Sequence, residues 1–280
     1  MRSVVCALAL LTLPTSAFAG DFDILRGTVP TYRWAGFYAG GDFGYSAANV
    51  NFGQAAGPDI ANILRNNAIE QDEQISQWPL LGGNSNPQSM NFGGFAGYNT
   101  EWENVVLGLE VDYSRISLTA SSSGALPNQG FTDSTNLPTG HHYVYNLSAS
   151  GQSSFNMTDV ASLRARFGWE AGNFLPYAFA GFALSRASVS NSATISYTAT
   201  DNPDSETPPL QPLSPLAFGP TTQTTAQTSF VYGVDAGVGL DVGVTSHLFV
   251  RGELEYIYFA PVDGIRLSIS SARAGVGYKF

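Results

Sequence analysis

The chain closes on a strict alternation. From Ala272 to Phe280 the even positions (Ala272, Ala274, Val276, Tyr278, Phe280) are apolar, and the odd ones (Arg273, Gly275, Gly277, Lys279) are charged or lack a side chain. A period of two marks a strand with one greasy face and one that is not. Soluble domains usually let their termini fray into water, whereas a strand with lipid on one face can end on an interfacial aromatic.

The same alternation recurs along the chain. Residues 34–45 place Phe37, Ala39, Gly41, Phe43 and Tyr45 against Gly36, Tyr38, Gly40, Asp42 and Gly44. Residues 90–102 place Phe92, Ala96, Tyr98 and Trp102 against Asn91, Gly93, Gly97 and Asn99, with Phe95 as the exception. From Val105 to Ser114 the alternation is cleanest, with Val105, Leu107, Leu109, Val111 and Tyr113 on the apolar face and Gly108, Glu110 and Asp112 on the other. Residues 155–170 oppose Leu163, Ala165, Phe167 and Trp169 to Arg164, Arg166 and Gly168. Residues 230–242 oppose alternate Phe, Tyr, Val and Leu to Gly233, Asp235, Gly237, Gly239 and Asp241. Residues 248–258 oppose Leu248, Val250, Leu254, Tyr256 and Tyr258 to Arg251, Glu253 and Glu255. Residues 174–189 alternate poorly. Placing Arg186 on the inner face puts Leu175, Tyr177 and Phe179 outside.

Between these segments long and short links take turns. Residues 49–88, 119–153 and 191–227 are polar and rich in Asn, Gln, Ser, Thr, Gly or Pro, which marks loops, and the third holds six prolines. The other links are tight, apart from a fairly short fourth loop near 261–264. Within the first loop, residues 58–72 predict a short helix with Ile60, Ile63, Leu64 and Ile69 on one side, folded on the rim. An even number of strands with long outer loops and short periplasmic turns describes an outer-membrane barrel. The expected fold is all-β: an eight-stranded antiparallel transmembrane up-and-down β-barrel with three long outer loops and short periplasmic turns.

Composition supports this. Residues 1–19 carry Arg2, an apolar run from Val4 to Leu13 and the small-x-small site Ala17-Phe18-Ala19, which predicts a signal peptide. Residues 20–33 follow as a periplasmic N-terminal segment, and 34–280 as the barrel domain. Cys6 is the one cysteine, so cleavage after Ala19 removes thiol and disulfide chemistry. Charged residues are 12% of the chain, about half the usual share. The net charge of −10 disfavours nucleic acid as a partner. No apolar run after the signal is long enough for a spanning helix. Thirty glycines, 13 tyrosines and 18 phenylalanines suit a barrel with interfacial aromatics.

The Trp34-Ala35-Gly36-Phe37-Tyr38-Ala39-Gly40 start, the Gly108-Leu109-Glu110-Val111-Asp112-Tyr113 strand and the Gly275-Val276-Gly277-Tyr278-Lys279-Phe280 end resemble one family. It is the alphaproteobacterial eight-stranded outer-membrane β-barrel family of porin-like surface antigens and haemin-binding proteins. The resemblance covers nearly the whole chain after residue 19. It implies that Phe280 is the signal recognised by the barrel-assembly machinery. The loops exceed those of the family's shortest members, so loop functions are not carried over.

On these phases the inward charges are Asp42, Glu110, Asp112, Asp235, Asp241, Glu253 and Glu255 against Arg164, Arg166, Arg186, Arg251 and Arg273. An eight-stranded barrel is about wide enough for side chains to fill, and each arginine facing lipid at mid-depth would cost about 2–4 kcal/mol. The arginines therefore belong inside, paired with carboxylates. An ionic plug with a structural, surface-exposed role is one reading; a narrow porin-like channel is another. His141 and His142, beside Tyr143 and Tyr145, also suit a haem-binding surface receptor. A secreted lipocalin-like binder would need the opposite polarity, apolar inside and charged outside. No histidine has a strand serine two residues on, so no catalytic constellation is expected, and no cofactor or metal site. The expected partners are outer-membrane lipid, lipopolysaccharide and the assembly machinery, with any loop ligand left open.

Overall fold

The computed structural model describes residues 32–205 and 208–280. The expected signal peptide and nearly all of segment 20–33 lie outside the described residues. Among the described residues nine strands form: β1 (Gly36–Asn51), β2 (Asn84–Ser85), β3 (Gln88–Trp102), β4 (Val105–Asp133), β5 (Tyr143–Trp169), β6 (Phe174–Asp201), β7 (Leu216–Gly243), β8 (Leu248–Phe259) and β9 (Arg266–Lys279). Eight of them pair antiparallel with their neighbours in chain order. β9 returns to β1, from Tyr38 opposite Lys279 to Asn51 opposite Arg266, and closes the ring. The ninth, β2, adds two residues against Val50 and Asn51. Closure satisfies the backbone groups that hydrocarbon cannot.

The greasy rows look outward. Phe37, Phe43, Phe92, Leu109, Phe167, Val234, Leu254 and Val276 are all exposed on the barrel wall. Trp102, Trp169 and Phe280 lie at the end with the short turns, and Tyr113, Phe230 and Tyr258 nearer the other, as two aromatic girdles require.

β6 corrects one expected phase. Leu175, Tyr177 and Phe179 are buried in the lumen, and Arg186 is exposed on the outer wall. The reason lies on β7, where Gly239 sits opposite Tyr177 and Gly237 opposite Phe179. The missing side chains leave room that only large rings fill, and a Cβ at either glycine would run into those rings. Arg186 avoids the mid-depth cost because it lies level with Phe230, near the outer interface.

The polar stretches 119–153 and 191–227 are largely strand. The connections proper are 134–142 and 202–215, and β4 to β7 run 27 to 29 residues each. A crossing takes about 9–11 residues, so more than half of each strand rises beyond the membrane. Out there no apolar outer face is needed, which is why serine and threonine can alternate with inward apolar residues. Register shifts at Arg115/Leu118 and Met157/Val160 fall where the two environments meet.

β8 and β9 stop at 12 and 14 residues, which leaves the tall wall with an unclosed inner face. The first connection covers it, folding as α1 (Gly57–Leu64), α2 (Ala68–Glu73) and a 3-10 turn at Ile75–Gln77. The predicted single helix is thus two, parted at residues 65–67. Ile60, Leu64, Ile69 and Ile75 are buried with Leu147, Phe155, Met157 and Ile195 of the wall. The segment lies inside the wall rather than on the rim.

Candidate functional site

The lumen is stacked in four layers. At the short-turn end, Tyr32 and Trp34 fold across the mouth and pack with Tyr38, Phe95, Val106, Leu175 and Phe249. Trp34 Nε1 donates to the Gly172 carbonyl at 3.3 Å, and Glu101 Oε1 accepts the Ala35 amide at 2.5 Å.

Above this layer lies the ionic one, in two linked groups. Arg166 donates to Asp241 Oδ2 at 2.7 Å and to Glu110 Oε2 at 3.2 Å. Arg251 reaches the same two acids at 2.9 and 2.8 Å. Tyr38 donates its hydroxyl to Glu110 Oε2 at 2.8 Å. Arg164 Nε donates to Asp235 Oδ2 at 2.6 Å and its Nη1 to Glu253 Oε1 at 3.0 Å, and it also bonds Glu255. Arg273 donates to Asp112 Oδ1 at 2.9 Å, pairs with Glu253, and lies 3.7 Å from Asp42. Aromatic faces cover the guanidinium planes: Arg166 stands 3.8 Å over Tyr177 and Arg251 3.9 Å over Phe95. Stacking and forked hydrogen bonding together are what arginine offers and lysine does not.

Eleven of the twelve expected lumen charges are therefore inside: Asp42, Glu110, Asp112, Arg164, Arg166, Asp235, Asp241, Arg251, Glu253, Glu255 and Arg273, each 8% exposed or less. Arg186 is the one outside. The ionic layer holds seven carboxylates against four guanidiniums. The sequence reasoning phased Tyr38 and Phe95 inward but gave them no part in the site, did not place Phe249, and put Tyr177 and Phe179 outside; all five lie between the charges. Their common signal was an inward glycine on the neighbouring strand: Gly97 opposite Tyr38, Gly40 opposite Phe95 and Gly277 opposite Phe249.

A neutral layer follows, with Ser46, Asn91, Ser114 and Ser271 buried around a cavity of about 10 Å³. That is near the lower limit for one water molecule. The apolar layer under α1 and α2 completes the stack.

At the outer tips His141 and Asp201 join the two long hairpins. His141 Nδ1 lies 2.6 Å from Asp201 Oδ2, and the carboxylate also accepts the amides of His142 at 3.2 Å and Leu213 at 2.8 Å. Burial opposes ionisation of Asp201, but these donors outweigh it and hold the carboxyl below its usual range. His247 bonds Ser246 at a short turn at the opposite end of the barrel. Phe280 is 75% exposed, and its amide donates to the Phe37 carbonyl at 3.0 Å.

The family model for the outer membrane protein beta-barrel domain matches residues 4–280. The 25 kDa outer-membrane immunogenic protein of Brucella ovis is 24% identical over 284 residues, spanning 99% of this chain and 96% of that protein. Its counterpart in Brucella canis is 23% identical, over 99% and 97%. Among solved structures, Neisserial surface protein A aligns at 14% identity with a TM-score of 0.39, over 88% of this chain and 98% of its own. Ail of Yersinia pestis, solved with a heparin analogue, aligns at 13% with a TM-score of 0.33, over 88% and 99%. A ring closed by β9 on β1, hydrocarbon-facing rows outside and paired charges within agree with the matched model: this chain belongs to the outer membrane protein β-barrel family and resides in the outer membrane.

Proposed function

We propose that the protein is a non-conducting, non-catalytic barrel that strengthens the envelope and carries a tall surface structure, antigenic as its Brucella relatives are named to be. The observation that carries this reading is Arg164, 1% exposed at the centre of the lumen and within 4 Å of five carboxylates. A continuous water path would have to part that cluster as well as the aromatic layer below it and the apolar layer above. Strong pairing and lost solvation make such an opening costly, since separated charges would stay buried. Two of the three histidines support a structural reading too. His141 is committed to Asp201, and Ser246 lies beside His247 without a carboxylate in the bonds that it makes.

Phe280 has a role in assembly in this reading. Its ring packs edge-on against Tyr278 at 5.3 Å yet stays 75% exposed, which leaves it open to recognition by the assembly machinery. Planar-bilayer recording tests the main claim. Reconstituted protein should show no discrete openings at 100 mV, and reproducible unit steps would overturn the plug.

A further inference from the structure

The acid excess of the lumen is not spread evenly. Nearer the short turns, Arg166 and Arg251 pair with Glu110 and Asp241, two bases with two acids. Farther up, Arg164 and Arg273 face five carboxylates, those of Asp42, Asp112, Asp235, Glu253 and Glu255. The whole surplus therefore sits at one level, beneath the cavity of the neutral layer. A buried charge is costly unless it is paired, so this level calls for a further cation.

Three oxygens there receive no hydrogen bond: Asp42 Oδ1, Asp112 Oδ2 and Asn91 Oδ1. Their residues are 8% exposed or less. Asp112 and Asn91 line the cavity of about 10 Å³, with Ser46, Ser114 and Ser271 beside them. Asn91 donates through Nδ2 to Ser46 Oγ at 2.8 Å, which leaves its carbonyl oxygen free. Gly93 stands opposite both Asp42 and Ser114. A Cβ on it would lie 2.8 Å from Ser114 Oγ and 3.1 Å from Asp42 Oδ1, so the missing side chain opens the space that Asp42 looks into. Arg273 does not satisfy these oxygens. It bonds Asp112 through Oδ1 at 2.9 Å and lies 3.7 Å from Asp42 Oδ2, on the other oxygen of each acid. Among the described residues no three acids, histidines or cysteines gather as a metal cage. What this level offers is two carboxylates and neutral oxygens.

We infer that the closed lumen binds one calcium ion, with Asp42 Oδ1, Asp112 Oδ2 and Asn91 Oδ1 as ligands and the serine hydroxyls of the neutral layer completing the shell. An all-oxygen set with two carboxylates is the chemistry of a hard cation. The cavity has room for one body the size of a water molecule. A water molecule would serve two of the acceptors and bring no charge, whereas a divalent ion offsets most of the surplus. Magnesium fits less well, because it keeps its waters and demands an octahedron. No spacing in the sequence points to the site, since its ligands come from β1, β3 and β4 and come together only when the barrel closes. The site deepens the plug reading, and the two fail separately. Unit openings in a bilayer would end the plug, and indifference to calcium would end the site.

Urea titration in micelles tests it, on protein refolded with calcium, magnesium or a chelator at equal ionic strength. The ion is added before refolding because the closed layers bar entry afterwards. The wild-type midpoint should rise by on the order of 1 M when calcium stands well above its dissociation constant, and magnesium should give a smaller rise. Elemental analysis after desalting should find one calcium per wild-type chain. D42N should match or exceed wild type in chelator and gain nothing from calcium. N91A, which removes an oxygen without a charge, should lose most of the calcium gain. Each variant is compared with itself in the two buffers, so a general loss of stability does not enter. If neither variant folds, wild type alone decides. A wild-type midpoint indifferent to calcium would overturn the site and leave the acid surplus to protons. An equal gain in D42N would overturn it too, by putting the ion elsewhere on the acidic surface.

Discussion

Replacing Arg164 by methionine removes the central cation of the lumen while keeping most of its volume. The guanidinium lies 2.6 Å from Asp235, 3.0 Å from Glu253, 3.4 Å from Asp112 and 3.8 Å from Glu110, and it also bonds Glu255. Seven acids would then face three bases, in a layer where Glu110, Asp112 and Asp235 are at most 2% exposed. Removing one partner of a buried pair costs about 3–5 kcal/mol, because the charge left behind stays desolvated. That is a large share of the roughly 5–15 kcal/mol typical of a folded domain. Urea titration in micelles, followed by tryptophan fluorescence and heat-modifiable migration, should show R164M less stable by that amount. R164K should fall between, since it restores the charge but not the fork or the stack over Phe179. Adding E255Q to R164M should recover part of the loss. A cost below about 1 kcal/mol for R164M would refute the reasoning, because no tightly paired buried cation can be that dispensable.

Asp42 predicts the opposite sign: it belongs to the acid excess and its nearest cation is 3.7 Å away, so D42N should leave the urea midpoint unchanged or raise it. Gly239→Val should destabilise by about 1–3 kcal/mol in the same assay, because its side chain would enter the Tyr177 ring. The Asp201 clasp should depend on pH. Its folded carboxyl titrates below the unfolded value of about 4, so its contribution is complete above that value and is lost as pH falls through the lower folded one. Hydrogen exchange at the His142 and Leu213 amides should therefore quicken at acid pH relative to neighbouring wall amides, corrected for intrinsic rates, and D201N should show the fast rate at neutral pH. Phe280→Ala should refold in detergent with an unchanged midpoint yet reach the outer membrane in smaller amount, measured by fractionation.

Seven of the eight strand phases were legible because hydrocarbon imposes one rule on a strand: what faces lipid is apolar. β6 broke the inference, since an apolar residue also has a second place to go. Tyr177 and Phe179 fill the space that Gly239 and Gly237 leave, and only the pairing register reveals it. The long polar stretches were misjudged for a related reason. Ser121-Ser122-Ser123 and Ser190-Asn191-Ser192 are turn-forming in composition, yet once above the membrane a strand is free to be polar on both faces. The charges themselves were easy to place, because an arginine at mid-depth has nowhere but the interior. The stacking order within the lumen was not legible, as it depends on which residues of non-adjacent strands meet across the barrel.

β4 to β7 carry one further consequence. From Arg115 to Asp133 the chain climbs 18 strand positions, on the order of 40 Å vertically for a tilted strand. The tips clasped by Asp201 are held that far from the bilayer by a stalk of paired strands, so a sequence change there acts far from the residues that fold the barrel. Selection can rewrite the summit without disturbing the foundation.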